Sequence, residues 1–297
     1  MDIAIIGSGM AGLASARILQ DAGHQVTIFD ALAGRGMDSH SIEFESGLID
    51  APIRVMNPKL WKNTLSLASY LGVETYPVRT FMACSWLLDG HTETWLTTSR
   101  SRIGNVPMMN NRKGLQQYGW RLAKGMLQLK SALKQFFQSK NQDITLAEFI
   151  NHYPIEAVFW HGTVMPVLYT ICTCQPKTIG QWPAKPLLEF IQQLTAGEAL
   201  LRMKGGTPAL VNRLIAGITI YSGSAVEKVE QHAEQVLVQN TQGQSGYFDR
   251  VVIATPTPVI EKFLQQPQFS YDLALLHKFR FEQGDLVIHT DPQVMPH

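Results

Sequence analysis

Three glycines, Gly7, Gly9 and Gly12, follow the apolar run Ile3-Ala4-Ile5-Ile6 at the spacing G-x-G-x-x-G. A strand that turns straight into a helix through such a loop makes a backbone cradle for a dinucleotide pyrophosphate. Gly7 supplies the tight turn, Gly9 leaves no Cβ between the backbone and the phosphates, and Gly12 lets the helix pack closely on the strand. Ser8, Met10 and Ala11 complete the loop. The phosphates would sit on the helix N-terminus, where unpaired N–H groups and the positive end of the macrodipole hold an anion without a basic side chain. Asp30 stands 18 residues after Gly12, where the fingerprint needs an acid to accept the adenosine ribose hydroxyls. Its charge would repel a 2′-phosphate, which places NADP last among the dinucleotides.

The elements that must position this loop are legible around it. Leu13, Ala14, Ile18, Leu19 and Ala22 form an apolar stripe at helical spacing, and Gly23 stands where a left-handed residue ends a helix. Gln25 to Phe29 is the second strand. Much further on, Gly205-Gly206-Thr207-Pro208 opens a helix with Thr207 expected as its N-cap and Pro208 at its first position. Short strands follow at 218–221, 225–229, 235–239 and 247–248, and Arg250 to Pro256 is an apolar strand running into a proline-rich loop. Ala254 and Thr255 would then lie at the carboxyl end of a parallel strand, where open α/β sheets bind ligands.

After Asp30 the chain runs through Ala31, the loop Gly34-Arg35-Gly36, the strand-like Ser41-Ile42-Glu43-Phe44-Glu45 and then Gly47-Leu48-Ile49-Asp50-Ala51-Pro52-Ile53-Arg54-Val55. This order, together with G-G-T-P at 205–208, V-x-x-V at 226–229 and D-x-V-V-I-A-T-P at 249–256, resembles the flavin-containing amine oxidase superfamily, the protoporphyrinogen oxidase and phytoene desaturase type. The resemblance implies FAD as cofactor. It implies that Ala31, Arg35 and Gly36 lie beside the FAD pyrophosphate, that Arg54 and Val55 approach the flavin ring, and that Val226 meets the cofactor through its backbone. The wording Ala-Pro-Ile-Arg-Val with Leu-Gly-Val-Glu-Thr-Tyr-Pro-Val looks like bacterial NAD/FAD-binding amine-oxidase-like proteins of the type linked with cyclopropane fatty-acid synthases. The superfamily's last glycine-containing FAD segment has no counterpart after Ala254, and Leu286 to Asp291 reads as a strand shortly before His297, so a truncated protein or fragment is expected.

Composition bounds the rest. The chain has 297 residues, 45% hydrophobic and 16% charged, with a net charge of +1, which fits a globular protein and argues for no nucleic-acid partner. No secretory leader precedes the first strand, and three cysteines, Cys84, Cys172 and Cys174, fit a reducing compartment and give no metal site. A cytoplasmic protein is expected. His40 and His161 read as polar loop and core residues, and the uncharged stretch 157–176, broken by His161, Gly162 and Pro166, reads as a buried helix rather than a membrane span.

Between Thr94 and Gln142 there is no acidic residue, whereas Arg100, Arg102, Arg112, Lys113, Arg121, Lys124, Lys130, Lys134 and Lys140 supply nine positive charges. Leu115, Tyr118, Leu122, Met126, Leu129, Leu133 and Phe136 share a helical stripe through this segment. It is either a core-facing helix with a solvated basic face or a surface, within 100–140, that rests on anionic lipid at the inner face of the membrane or on an acidic partner. Other helices are expected at 60–71, at 145–150 behind the capping box Thr145 and Glu148, and at 186–194, with strands over 73–78 and between Phe81 and Trp95, where Asp89-Gly90 signals a hairpin.

The fold class expected is α/β: a Rossmann-like FAD-binding domain with a parallel sheet, discontinuous over 1–72 and 200–297, and an inserted mixed α+β substrate domain over 73–199. The function expected is FAD-dependent oxidation of an amine, or of a C–C or C–N bond, in a hydrophobic, lipid-like small molecule. An NAD-linked dehydrogenase and a non-catalytic cofactor-binding or lipid-surface accessory protein are the alternatives. No residue is assigned a catalytic role, because a flavin carries the hydride chemistry itself and asks the protein chiefly for orientation and tuning.

Overall fold

The structure, a computed structural model, describes residues 1–34, 36–38, 41–44, 47–51, 55–78, 83–88, 91–103, 106–109, 112–194, 199–281 and 288. It divides into two compact units, one made of Met1–Met56, Trp61–Pro77 and Leu201–Phe281, the other chiefly of Val78–Leu200.

The first unit contains β1 (Asp2–Ile6), α1 (Met10–Asp21), β2 (Gln25–Phe29), β3 (Ser41–Phe44), β4 (Gly47–Asp50), α2 (Lys62–Tyr70) and β5 (Thr75–Val78). The second contains β6 (Ala83–Leu88), β7 (His91–Ile103), β8 (Val106–Met109), α3 (Arg112–Gln138), α4 (Leu146–His152), α5 (Ala157–Phe159), α6 (Met165–Cys172), α7 (Pro176–Gly180) and α8 (Ala184–Leu194). The chain then passes through β9 (Leu200–Met203), which pairs with β5, and completes the first unit with α9 (Gly206–Leu214), β10 (Thr219–Tyr221), β11 (Val226–His232), β12 (Gln235–Asn240), β13 (Ser245–Phe248), β14 (Arg250–Ile253), α10 (Thr257–Ile260) and α11 (Ser270–Leu276).

The first unit is built on a parallel sheet in the order β10-β2-β1-β14. β1 is apolar at every position from Ile3 to Ile6 because both of its faces are covered, as parallel strands require. Ile3 and Ile5 point to one side, into a core with Leu13 and Ala16 of α1 and Leu210, Val211 and Leu214 of α9. Ala4 and Ile6 point to the other side, where Val229 and Val238 of the antiparallel sheet β11-β12-β13 meet Ile260, Phe263 and Leu264. This is the α/β class expected from the sequence, and β1, α1 and β2 fall within a residue of their expected ends. The outer edge of β11 is covered by its own chain: the Val229 amide donates to the Phe263 carbonyl at 2.9 Å. Two residues along, the Gln266 side chain accepts from the Gln231 amide at 2.7 Å and donates to the Gln231 carbonyl at 3.3 Å.

The second unit has a helical core in which Leu129, Leu133 and Phe136 of α3 meet Leu146 and Phe149 of α4 and Leu187, Leu188 and Ile191 of α8. α4 begins with the expected capping box: the Thr145 hydroxyl accepts from the Glu148 amide at 3.2 Å, and the Glu148 carboxylate accepts from the Thr145 amide at 2.8 Å. A second cluster stacks Trp86 on Trp95 at 5.3 Å and lays Gly162 against both rings. The uncharged stretch at 157–172 is α5 and α6 joined by a π-helical turn over Trp160–Val164. Among the described residues no helix is long and apolar enough to cross a membrane.

The structure corrects three expectations. α3 carries Arg112 through Lys134, but Arg100 and Arg102 belong to β7, so the basic segment is a strand and a helix rather than one helix. Met126 is exposed and Gly125 takes the inward position, packed where a Cβ would lie 2.3 Å from the Phe159 side chain. α8 begins at Ala184, two residues before its expected start, with the Ala184 amide held by the Ile144 carbonyl. The Asp89-Gly90 turn and the strand expected at 286–291, apart from Ile288, lie outside the described residues, although Leu88 and His91 do pair across the expected hairpin.

Candidate functional site

The loop between β1 and α1 shows why each glycine is there. Gly7 has φ +101°, a conformation that side chains resist, and a Cβ on it would lie 2.7 Å from the Ala254 carbonyl oxygen. A Cβ on Gly12 would lie 1.9 Å from the Gly7 carbonyl oxygen, so the helix can approach the turn this closely only without one. Gly9 differs from both. Its backbone is extended, with φ −65° and ψ 177°, and a Cβ there would meet nothing within 4 Å. Gly9 therefore faces open space at the head of α1, and its neighbours Met10 and Ala11 start the helix.

That helix end is bare. Among the described residues no side chain caps α1, and no acidic residue stands in its first turn. Its leading N–H groups keep their hydrogen-bonding capacity and the positive end of the dipole, which together suit an anion.

Ser8 and Asp30 lock the loop to the tip of β2. Both the amide and the hydroxyl of Ser8 donate to Asp30 Oδ2 at 2.6 Å, and the Leu32 amide donates to Asp30 Oδ1 at 2.8 Å. Ser8 is fully buried and Asp30 nearly so. Oδ2 is thus saturated, while Oδ1 keeps one lone pair for a further donor. Around this tip, Ala31 is exposed, the Gly223 amide donates to the Leu32 carbonyl and the Ser224 amide to the Asp30 carbonyl. These two bonds bring the start of β11, and so Val226, to the same end of the sheet.

Gly36 presses onto the loop from outside. A Cβ on it would lie 2.3 Å from the Ser8 hydroxyl oxygen, and the next amide, Met37, donates to the Ser8 carbonyl at 3.1 Å. Ala254 and Thr255 close the other side: the Ala254 amide donates to the Ile6 carbonyl, and the Thr255 methyl lies 3.0 Å from where a Gly7 Cβ would be. The Thr255 hydroxyl is buried and finds no partner among the described residues.

The structure therefore gathers Gly7, Ser8, Gly9, Met10, Ala11, Gly12, Asp30, Ala31, Gly36, Val226, Ala254 and Thr255 at the carboxyl end of one parallel sheet. Val55 is half-buried beside Met56, whose amide and carbonyl both bond to Leu201. Arg35 and Arg54 lie outside the described residues.

Sequence reasoning misplaces one residue of this region and misses another. Thr207 is not an N-cap: Gly205 and Gly206, with φ +79° and +67°, begin α9 earlier and put Thr207 inside the first turn. Its amide is capped from a distance by Asp50 at the end of β4, with oxygens at 3.1 and 3.2 Å, and Asp50 also accepts from the Ser41 hydroxyl at 2.7 Å. A buried acid 157 residues from its partner leaves no local signal beyond the G-x-x-D spacing. Asp50 and Thr207 also line a pocket with Met10, Met37, Met56 and Met203, but its free volume of about 20 Å³ holds no more than a water.

The sequence from residue 10 to 280 matches the family model of flavin containing amine oxidoreductases. It is 24% identical, over 86% of its length, to AofH of Mycobacterium tuberculosis, a protein assigned to the flavin-containing monoamine oxidases, and it spans 57% of that relative. The fold is similar to that of a putrescine oxidase solved with putrescine, with a TM-score of 0.61 at 14% identity over 88% of this chain and 59% of the other. It is similar also to cyclohexylamine oxidase from Brevibacterium oxydans, with a TM-score of 0.60 at 19% identity over 93% of this chain and 62% of the other. The chain thus spans less than two thirds of the length of these relatives.

Proposed function

Because this chain belongs to the flavin-containing amine oxidoreductase family, we propose that it binds FAD at the head of α1 and oxidises an amine, or a C–C or C–N bond, of a hydrophobic small molecule. The bare first turn of α1 beside Gly9 is the observation that carries this reading. A cofactor diphosphate finds there what a side chain would otherwise supply, and the open space at Gly9 is the space its oxygens need. The Thr255 hydroxyl, two residues past the end of β14 and without a partner among the described residues, adds a donor at the same end of the sheet.

Each residue has a part in holding the group. The first amides of α1, from Met10 and Ala11, take the phosphates; Asp30 Oδ1 accepts a ribose hydroxyl, while Oδ2 keeps Ser8 and the loop in shape. Ala31 and the backbone at Val226 meet the cofactor beside Asp30, and Gly36 closes over Ser8. As the family resemblance implies, Arg35 lies with Gly36 beside the pyrophosphate, and Arg54 and Val55 extend the site towards the flavin. When bound, FAD supplies the hydride acceptor, and the protein's work is to orient the substrate and exclude water. The likeness to oxidases of putrescine and cyclohexylamine supports an amine as the substrate.

Titration with FAD, read by flavin absorbance and fluorescence, tests the reading. Wild type should take up FAD and not NAD. Gly9→Val should weaken FAD binding by a factor of about ten or more at unchanged circular dichroism, because the branched side chain occupies space that is empty in the protein. Preference for NAD, or a Gly9→Val variant that keeps its flavin, overturns the assignment.

A further inference from the structure

The outward face of α3 is a feature that the cofactor site leaves unexplained. Trp120 is 77% exposed and Leu127 68%, two large apolar side chains on the open side of a helix whose other side is fully employed in the core. Trp120, Lys124, Leu127 and Lys134 follow one another at i, i+4, i+7 and i+14, so they share one stripe, with Lys130 beside it, while the exposed Met126 lies on the flank next to Leu133. Leu122, Gly125, Leu129, Ala132, Leu133 and Phe136 occupy the opposite side and are buried.

The charge of this face has one sign. α3 carries six basic residues and no acidic one, and the acid-free stretch extends to both sides of it, from Thr94 to Gln142. Arg121, on the flank, is already matched by Glu156, with Nε and Oε1 2.6 Å apart. Lys124, Lys130 and Lys134 are exposed and have no ion pair among the described residues. A merely solvated helix face gains nothing from a tryptophan and a leucine set between lysines. The same set is what an interfacial helix uses: the apolar side chains enter the boundary between headgroups and acyl chains, and the lysine stems lie along it with their ammonium groups at the phosphates.

We propose that the outer face of α3 docks on an anionic phospholipid bilayer, with Trp120 and Leu127 inserted and Lys124, Lys130 and Lys134 at the headgroups. Both halves of the face are needed: the lysines select the anionic surface, and the two apolar side chains give a depth that a soluble polyanion cannot offer. This inference stands apart from the FAD reading, since it uses none of the residues of the cradle.

Flotation of the full chain with vesicles tests it. Wild type should float with vesicles of three parts phosphatidylcholine to one part phosphatidylglycerol at low salt, and not with phosphatidylcholine alone. Lys124→Gln, Lys130→Gln and Lys134→Gln together should lower the partition coefficient on the order of a hundredfold, about fivefold for each charge, and salt at about 0.5 M should do likewise by screening. The double variant Trp120→Ala, Leu127→Ala removes only exposed side chains, so circular dichroism should not change while flotation is lost. Three outcomes overturn the proposal. They are wild type failing to float on the anionic vesicles, the double variant floating as wild type does, and gel filtration showing a dimer that the double variant dissolves while vesicles are ignored.

Discussion

Two helices of this protein begin in opposite ways. α4 satisfies its own first turn, with Thr145 and Glu148 exchanging hydrogen bonds across the cap, whereas α1 starts from an extended glycine with no side-chain cap among the described residues and no acid in its first turn. α9 is a third case, since its leading amide at Thr207 is met by Asp50 from another strand. Two of these three helices are capped, but a bare start is not peculiar to α1: α2 and α7 also begin without a side-chain cap or an acid in the first turn. What sets α1 apart is its setting, since its loop is fixed by Gly7, Gly12, Ser8 and Asp30 while the space at Gly9 stays open.

The geometry that holds α1 is open to test by substitution. Gly12→Ala should have the largest effect, because its Cβ would sit 1.9 Å from the Gly7 carbonyl oxygen, and neither backbone can move without displacing β1 or α1. A loss of about 3 kcal/mol or more is expected in urea unfolding, at the upper end of overpacking costs. Asp50→Ala should come next, at about 1–3 kcal/mol, since it strips the cap from α9 and leaves the Ser41 hydroxyl and the Thr207 amide short of an acceptor. Thr145→Ala should cost about 1 kcal/mol at neutral pH, with no change in FAD affinity.

The cap on α4 also predicts a pH dependence. The hydrogen bonds from the Thr145 amide and hydroxyl hold the Glu148 carboxyl below its usual range. A carboxylate whose folded pKa is depressed stabilises the fold above its unfolded pKa and loses that contribution as pH falls through the folded one. The stability gap between wild type and Thr145→Ala should therefore be full at neutral pH and narrow below about pH 4.5, the ordinary carboxyl value. A gap that stays constant down to about pH 3 would show that the Thr145 hydroxyl lends no support to the Glu148 carboxylate, since the amide bond to it is kept in both proteins.

The smallest expected effect on stability lies at Gly9. Gly9 already has the extended backbone that an N-cap residue needs, and free space for a side chain. Gly9→Asp should raise stability by a few tenths of a kcal/mol by capping α1, and should abolish FAD binding by placing a carboxylate where the phosphates belong. Loss of stability in that variant would mean that α1's first turn is not open to a cap.

The parallel sheet is readable from the sequence because its signals are local. An apolar run broken by glycines, a helical stripe ended by Gly23 and a second run before Asp30 each lie within a few residues, and the structure has them with almost the same ends. What is not readable depends on partners far apart in the chain. The Ser8 to Asp30 bonds span 22 residues, and the Asp50 cap of α9 spans 157. Thr207 misleads for that reason: a threonine before a proline satisfies the local rule for a cap, but the two left-handed glycines before it start the helix early. On α3 the apolar period is clear, yet period alone does not say that Gly125 rather than Met126 turns inward, since that depends on Phe159 arriving from elsewhere.

The Gln266 side chain, which bonds to both the amide and the carbonyl of Gln231, imitates one residue of a neighbouring strand. Unpaired backbone along an outer strand is a template on which another chain can add, and it is a common start of aggregation. With Phe263 engaging Val229 and Gln266 engaging Gln231, that template on β11 is taken up from within the molecule, so the sheet that covers one face of β1 ends in a blocked seam rather than an adhesive one.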